Sequence, residues 1–404
     1  MENREYIKTG SQVYWRTLFI IFLGSMAAFG AEYCVQPIIP VIASSFGLNA
    51  VQGSLAVSLG LVGMSAAMLL IAGLAPRFDR KLATAVGLIG AAILTIMIGF
   101  SGSFEAILGM RLIQGLLLAA FPSLIIAYYI NEEFEPFNVG TVIGIYISGT
   151  TVGGLFGRLV VSAITDFVSW RMGLIVIGIL YLAVGIAFFM LLPKPKYQRQ
   201  RQSCGLQLIK TFHTALANKK LLWIYLVAFL IMGSFVAVFN FISYVLLAPP
   251  YSLSQTVVGL LFVVYLFGTF SSTYMGRLSD QHGNGRVLIL GLLIMLTGGL
   301  LTLLQPLVFK FIGLAIFTFG MLGSHSVACG WVGKLNHGDK AQSSSMYMFF
   351  YYAGASSLGT LGGVFLESYG WSGVIGMVAA AVIICLLVVV RLELAVSQHL
   401  LWHH

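Results

Sequence analysis

The chain has 404 residues, of which 59% are hydrophobic and 9% charged, and a formal net charge of +9. A soluble domain carries roughly 25% charged residues, and a fold of this length has no interior large enough to hide so much apolar side chain; a bilayer does. An ordinary soluble enzyme is excluded, and the positive charge forms no basic stripe with interleaved aromatics of the kind that marks a nucleic-acid surface.

The first residues are polar and basic, with no apolar stretch leading to a small-residue cleavage site, so no removable signal peptide is expected. Crossing the hydrocarbon core takes about 20 apolar residues. Such segments fall at 17–40, 53–75, 82–101, 105–130, 138–164 and 171–192, and again at 221–248, 254–277, 286–306, 309–333, 343–367 and 371–391. The pattern predicts an all-α polytopic membrane protein, with twelve transmembrane helices in two pseudo-symmetric six-helix bundles. Residues 1–16 precede the first bundle (17–192), a basic linker (193–220) follows it, and residues 392–404 trail the second bundle (221–391). If both termini are cytoplasmic, eighteen of the 22 basic residues fall in cytoplasmic loops. Only Arg171 and Lys310 then face outward, and Arg111 and Arg158 lie within spans. That bias predicts a multi-pass protein of the inner (plasma) membrane with both termini inside. The four cysteines, Cys34, Cys204, Cys329 and Cys385, are scattered singly and mark neither a disulfide framework nor a metal site.

The halves repeat. Gly73 and the basic run Arg77–Phe78–Asp79–Arg80–Lys81 close the second span; Gly276, Arg277, Asp280 and Arg286 close the eighth. Gly149, Gly154 and Gly157 in the fifth span recur as Gly354, Gly359 and Gly362 in the eleventh at a constant offset of 205. Duplicated six-helix halves mark carriers that rock about a central site. Despite 46 glycines there is no Gly-x-x-x-x-Gly-Lys-Ser/Thr loop, so no ATP-driven pump is expected. Neither His-Glu-x-x-His nor Gly-x-Ser-x-Gly occurs. No enzyme activity, catalytic residue, cofactor or metal is expected.

These features resemble the major facilitator superfamily over nearly the whole chain. The loop signature after the second helix reads AGLAPRFDRK, with Pro76 where the family has aspartate and Asp79 where it has glycine. The second-half copy keeps Asp280. The fourth-helix signature is intact as Arg111, Gln114 and Gly115. The fifth-helix antiporter signature is partial: GTTVGGLFGR has Gly154 in place of the proline and Arg158 in place of the last glycine. The stretches YCVQPIIP, APPYSLSQTVVGLLFVVYLFGTFSS and GSHSVACGWVG look closer to the YnfM-like branch of bacterial proton-coupled efflux carriers. The resemblance implies conformational gating at Gly73, Arg77, Asp79, Arg80, Gly276, Asp280 and Arg286, a cavity lined by the first, fourth, seventh and tenth helices, and a monomer.

Charges inside a bilayer are costly, by about 2.5–3.5 kcal/mol or more at mid-depth. Glu32 is the acidic residue well inside a span, about 22 Å from the cytoplasmic end of the first helix at 1.5 Å per residue. Gln36 lies one helical turn further on. Arg111 and Gln114 share a face of the fourth helix, and Arg158 falls at a similar depth in the fifth. Glu32 is expected to carry the coupling proton, its affinity set by a nearby arginine; a fixed Glu–Arg pair holding helices together and a hydrated residue at the outer mouth are the competing readings. Arg158, whose partner in the repeat is Gly363, pairs with substrate or Glu32, or else snorkels to the headgroups. His325 reads equally as a proton relay and as a helix-bridging polar residue. Gln36, Arg111, Gln114, Arg158, Asn240 and Tyr244 are the substrate-binding candidates. Tyr265, Trp331 and the Tyr347–Tyr352 aromatics read as packing or interface residues.

The leading expectation is secondary active export, protons exchanged for a small amphipathic or zwitterionic organic compound by alternating access, with membrane lipids as the surrounding partners. Proton symport of an anionic metabolite is the alternative within transport, and a non-transporting membrane sensor the alternative outside it.

Overall fold

The computed structural model describes residues 6–74, 79–196, 218–335 and 340–401. The chain is almost wholly helical: α1 (Gln12–Tyr33), α2 (Ile39–Ser45), α3 (Ala50–Leu74), α4 (Arg80–Phe100), α5 (Phe104–Leu118), α6 (Val139–Phe167), α7 (Trp170–Leu191), α8 (Lys219–Leu247), α9 (Gln255–Leu260), α10 (Tyr265–His282), α11 (Asn284–Leu301), α12 (Leu307–Leu335) and α13 (Lys340–Leu401). Polar residues punctuate these apolar runs. Ser11, Asp79, Ser103 and Ser169 each accept a hydrogen bond from the backbone N–H three residues on, and Asn218 accepts from Lys220 and Leu221, satisfying donors that a helix start leaves open.

Three predicted spans are broken helices. The first stops at Tyr33 because Pro37 and Pro40 lack the N–H groups that would continue the ladder; a 3₁₀ turn, Gln36–Ile38, leads into α2. The fourth leaves α-geometry after Leu118 and runs as a π-helical stretch, Pro122–Ile130, beginning at another missing proline donor. The eighth passes through a 3₁₀ turn, Leu261–Val264, between α9 and α10. Conversely, α13 runs 62 residues, about 93 Å at 1.5 Å per residue, far more than one ~30 Å crossing. It is two spans reversing at Gly370, whose φ of 64° and ψ of −157° suit glycine alone. Among the described residues, eleven helical segments are long and apolar enough to cross a membrane, and this break makes twelve spans. Helix α1 starts before residue 17 and α13 continues past 391. Most of the expected linker, and Arg77 with it, lies outside the described residues.

The chain divides into two compact units. Unit 1 comprises Met1–Phe46, Leu59–Gln207 and Ser254–Gly259; unit 2 comprises Gly47–Ser58, Leu208–Leu253 and Leu260–His404. The repeated glycines do the same job in each. In unit 1 a Cβ at Gly149 would stand 2.6 Å from the Phe22 carbonyl oxygen of α1. In unit 2 one at Gly354 would stand 1.9 Å from the Phe229 carbonyl oxygen of α8. Only glycine lets these backbones approach so closely, the usual device of packed helices in lipid. A second device is also duplicated. In unit 1 the Asp166 carboxylate accepts from the backbone N–H groups of Gln255 and Thr256, both at 3.3 Å, and from Thr256 Oγ1 at 2.7 Å. In unit 2 Glu367 Oε1 accepts from the N–H groups of Ala50 (2.9 Å) and Val51 (3.3 Å). Each carboxylate ends one helix and caps the start of another. The corresponding tryptophans differ: Trp170 Nε1 donates to Ser45 Oγ and Trp371 Nε1 to Thr302 Oγ1, both at 3.0 Å.

Candidate functional site

The break in α1 creates the site. Ending the helix at Tyr33 strips the last carbonyls of their intrahelical partners, and they need donors inside an apolar surround. Arg111 of α5 supplies them. Its Nη1 donates to Ala31 O at 3.1 Å and its Nη2 to Glu32 O. A guanidinium at a helix C-terminus also meets the negative end of the dipole. Nη2 lies 3.4 Å from Glu32 Oε1, forming an ion pair whose partners are both buried. Glu32 Oε2, also buried, has no hydrogen-bond partner. Nη1 donates further to Gln114 Oε1. The Gln114 amide donates to Thr95 Oγ1 at 2.7 Å and to Ala91 O at 3.1 Å on α4. Gln114 thus orients the arginine and ties α5 to α4, while Arg111 ties α5 to α1.

Three residues beyond the helix end, Gln36 turns to Arg158 of α6. Its Oε1 accepts from Arg158 Nε at 3.1 Å and Nη2 at 2.7 Å, while Nη1 donates to Gly154 O at 2.7 Å. The Tyr33 ring lies 4.8 Å from the guanidinium carbon, a cation–π contact that suits a desolvated arginine. Glu32 and Gln36 therefore do not act as one helical face, because the 3₁₀ turn at Pro37 separates their partners: Arg111 takes the first and Arg158 the second. Arg158 is fully buried, which rules out snorkelling to the headgroups. Two cations, Arg111 and Arg158, and the Glu32 carboxylate thus lie buried around the break in α1.

In unit 2 the candidates are less concentrated. Asn240 is buried and donates to Gly359 O at 3.4 Å. Tyr244 is half-buried against Phe241, and its hydroxyl has no partner. His325 Nδ1 shares a 2.9 Å hydrogen bond with Tyr347 OH, and its ring lies 4.4 Å from that of Tyr351. The Tyr347–Tyr352 aromatics are therefore more than packing: one is the partner of the intramembrane histidine.

The signature residues fall into separate roles. Arg80 is buried and ion-paired with Glu132. Asp79 caps α4, accepting from Leu82 N at 3.0 Å. Asp280 forms an exposed pair with Lys334 at 3.2 Å, Arg286 is exposed, and Gly276 sits half-buried beside Ser326. Gly73 lies within α3. Lys310, in the stretch assigned to the outer side, has a buried side chain, with Nζ donating to Thr302 O and 5.7 Å above the Tyr251 ring. The reason is the loop between α11 and α12, whose unpaired carbonyl needs a donor.

Sequence reasoning missed Gly60 and Thr95. A Cβ at Gly60 would stand 2.5 Å from Glu32 Oε1 and 2.8 Å from Arg111 Nη2, and one at Gly115 would stand 1.9 Å from Gly60 O. The intact Arg111–Gln114–Gly115 signature was the available signal, since a glycine in it implies a close neighbour.

The sequence profile of the Major Facilitator Superfamily matches residues 21–252 and 224–399. The chain is 37% identical over 385 residues to the uncharacterised transporter YybF of Bacillus subtilis, covering 94% of each. It is 37% identical over 392 residues to the inner membrane transport protein YnfM of Escherichia coli, covering 97% of this chain and 94% of that one. The solved structure of the nucleoside transporter NupG shares the fold at a TM-score of 0.76 and 18% identity, over 93% of this chain and 99% of that one. With twelve apolar spans, two compact helical units, a buried charge cluster at the broken first helix and likeness to transporters from end to end, the chain belongs to the major facilitator superfamily of multi-pass membrane transporters, and to its YnfM-like branch.

Proposed function

We propose that the chain is a secondary active transporter that exports a small amphipathic or zwitterionic organic compound in exchange for protons by alternating access, with Glu32 as the proton-carrying group. The observation that carries this reading is the buried Glu32–Arg111 pair, with Oε1 held at 3.4 Å and Oε2 left without a partner. Such a carboxylate has two states. Beside the guanidinium it is a salt-bridged anion; separated from it in an apolar surround, it is stable as the acid, with a proton on one oxygen. Arg111 is anchored independently by Ala31 O, Glu32 O and Gln114, so losing the carboxylate's charge does not leave it bare. Proton exchange can then be tied to a small change at the end of α1. Arg158 and Gln36 supply a donor and an amide for the polar part of the substrate, and Arg111, Gln114, Asn240 and Tyr244 are the further substrate-binding residues of this reading. Gly73, Arg77, Asp79, Arg80, Gly276, Asp280 and Arg286 serve conformational gating, supported by the ion pair of buried Arg80 with Glu132.

The test is substrate-dependent proton movement in proteoliposomes with a preset pH gradient, using a panel of organic cations, anions and zwitterions. Wild type dissipates the gradient with its substrate. Glu32→Gln loses that movement while retaining substrate counterflow, and His325→Gln keeps both. A Glu32→Gln protein that couples protons as wild type does would overturn the reading. Proton movement in the same direction as an anionic substrate would replace it with symport.

A further inference from the structure

The first turns of α8 carry a feature that the proposed transport reaction does not use. Between α8 and α13 of unit 2 lies an apolar groove of about 400 Å³ lined by Leu222, Trp223, Leu226, Phe229 and Phe350. It is a built feature. The Phe350 ring stacks on Tyr225 at 5.4 Å with 8° between planes, fixing the floor. One turn on, the close approach of Gly354 to Phe229 O locks the two helices together. Tyr225 meets Phe350, Phe229 meets Gly354 and Gly233 meets Leu358, so the helices run in the same direction. Their starts, at Lys219 and Lys340, therefore lie at the same end of the unit.

Among the described residues no other helix covers the mouth of the groove: Leu222 and Trp223 are 40% and 46% exposed. In a membrane protein such apolar surface meets acyl chains. Leu222 to Phe229 spans seven residues, about 10 Å of rise, within one leaflet's share of a ~30 Å hydrocarbon core. Immediately before it stand exposed Lys219 and half-buried Lys220, and the first turn of α8 contains no acid to neutralise them. Trp223, one turn in, sits where an amphipathic ring marks the membrane–water boundary.

We propose that this groove is a binding site for an anionic phospholipid, its phosphate held by Lys219 and Lys220 and one acyl chain laid along Leu222, Trp223, Leu226, Phe229 and Phe350. The apolar lining holds any diacyl lipid, and the lysine pair selects the negative headgroup. Two basic residues near a headgroup, at about 1 kcal/mol each, correspond to a preference of about thirtyfold for an anionic over a zwitterionic lipid.

Trp223 reports on the groove directly. The full-length protein is reconstituted in vesicles with increasing fractions of phosphatidylglycerol or phosphatidylcholine carrying brominated acyl chains. The quenching that disappears in Trp223→Phe isolates the signal at this position. Brominated phosphatidylglycerol is expected to half-quench Trp223 at about one-thirtieth the fraction that phosphatidylcholine needs. The double variant Lys219→Gln, Lys220→Gln is expected to bring the two curves together. Superimposed curves in the wild type would overturn the proposal whatever the variant does, and so would a preference that survives loss of both lysines.

Discussion

At the scale of single residues, the buried pair depends on what is left out beside it. Glu32 and Arg111 meet only because position 60 has no side chain: a Cβ there would stand 2.5 Å from one and 2.8 Å from the other. Gly60→Val is therefore expected to destabilise the protein by roughly 1–3 kcal/mol, the usual cost of overpacking, and to abolish substrate-driven proton movement. The thermal midpoint in detergent and the proteoliposome assay measure the two effects. A valine variant with wild-type values for both would show that the pair does not need this contact. Glu32, Gln36, Arg111, Gln114 and Arg158 could be singled out in the sequence because a polar or charged group in an apolar span is expensive and needs a reason. Gly60 and Thr95 could not, since a small residue matters only through the neighbour that tertiary packing brings to it.

At the scale of elements, breaks and straps decide where side chains point. The segment before α1 docks on the loop between the π-helical stretch and α6. Ile7 N donates to Glu133 O at 2.8 Å, while Thr9 donates to Glu135 Oε2 through its hydroxyl at 2.6 Å and its N–H at 3.2 Å. These bonds, the Thr9 hydroxyl foremost, hold the Glu135 carboxyl below the usual carboxylate range. Because the docked pKa is the lower one, docking is complete above the ordinary carboxylate pKa and weakens as pH falls through the lowered value. Amide exchange at Ile7–Thr9, corrected for the intrinsic chemical rate, should lose protection in that acidic window. In Glu135→Gln the protection should be weaker and flat with pH; an unchanged, pH-independent profile in wild type would refute the strap. Of the elements, the continuous apolar runs were legible and the breaks at Cys34–Ile38 and Leu118–Pro122 less so. Pro37, Pro40 and Pro122 announce a missing donor, but whether a chain bends, tightens or shifts register there depends on what satisfies the freed carbonyls. Around α1 the answer is Arg111, eighty residues away.

At the scale of the whole molecule, charge bias along the chain predicts both termini and the 193–220 linker on the cytoplasmic side. A protein keeping Cys204 alone of its four cysteines should react with a membrane-impermeant maleimide only after permeabilisation. Ser103→Cys in a cysteine-free background should react on intact cells. The reverse pattern would invert the topology and exchange the sides assigned to every loop. The duplicated devices, glycines 149 and 354 beneath carbonyls and carboxylates 166 and 367 at helix starts, show the two units solving the same packing problem in the same way. Their polar interiors differ: unit 1 buries Glu32, Arg111 and Arg158, while unit 2 holds Asn240, Tyr244 and the His325–Tyr347 hydrogen bond.

Composition and hydrophobic run length determined the number of spans, the all-helical class and the twofold repeat, because in lipid the backbone must satisfy itself locally and each span needs its own apolar length. The same reasoning marked the few ionisable residues that a bilayer would not tolerate without partners. Only the tertiary structure decided which partners they have. Arg111 pairs with Glu32 and Arg158 with Gln36, and Lys310 is buried under a loop, because those choices rest on which carbonyls the broken helices leave open and on which glycines let the helices close around them.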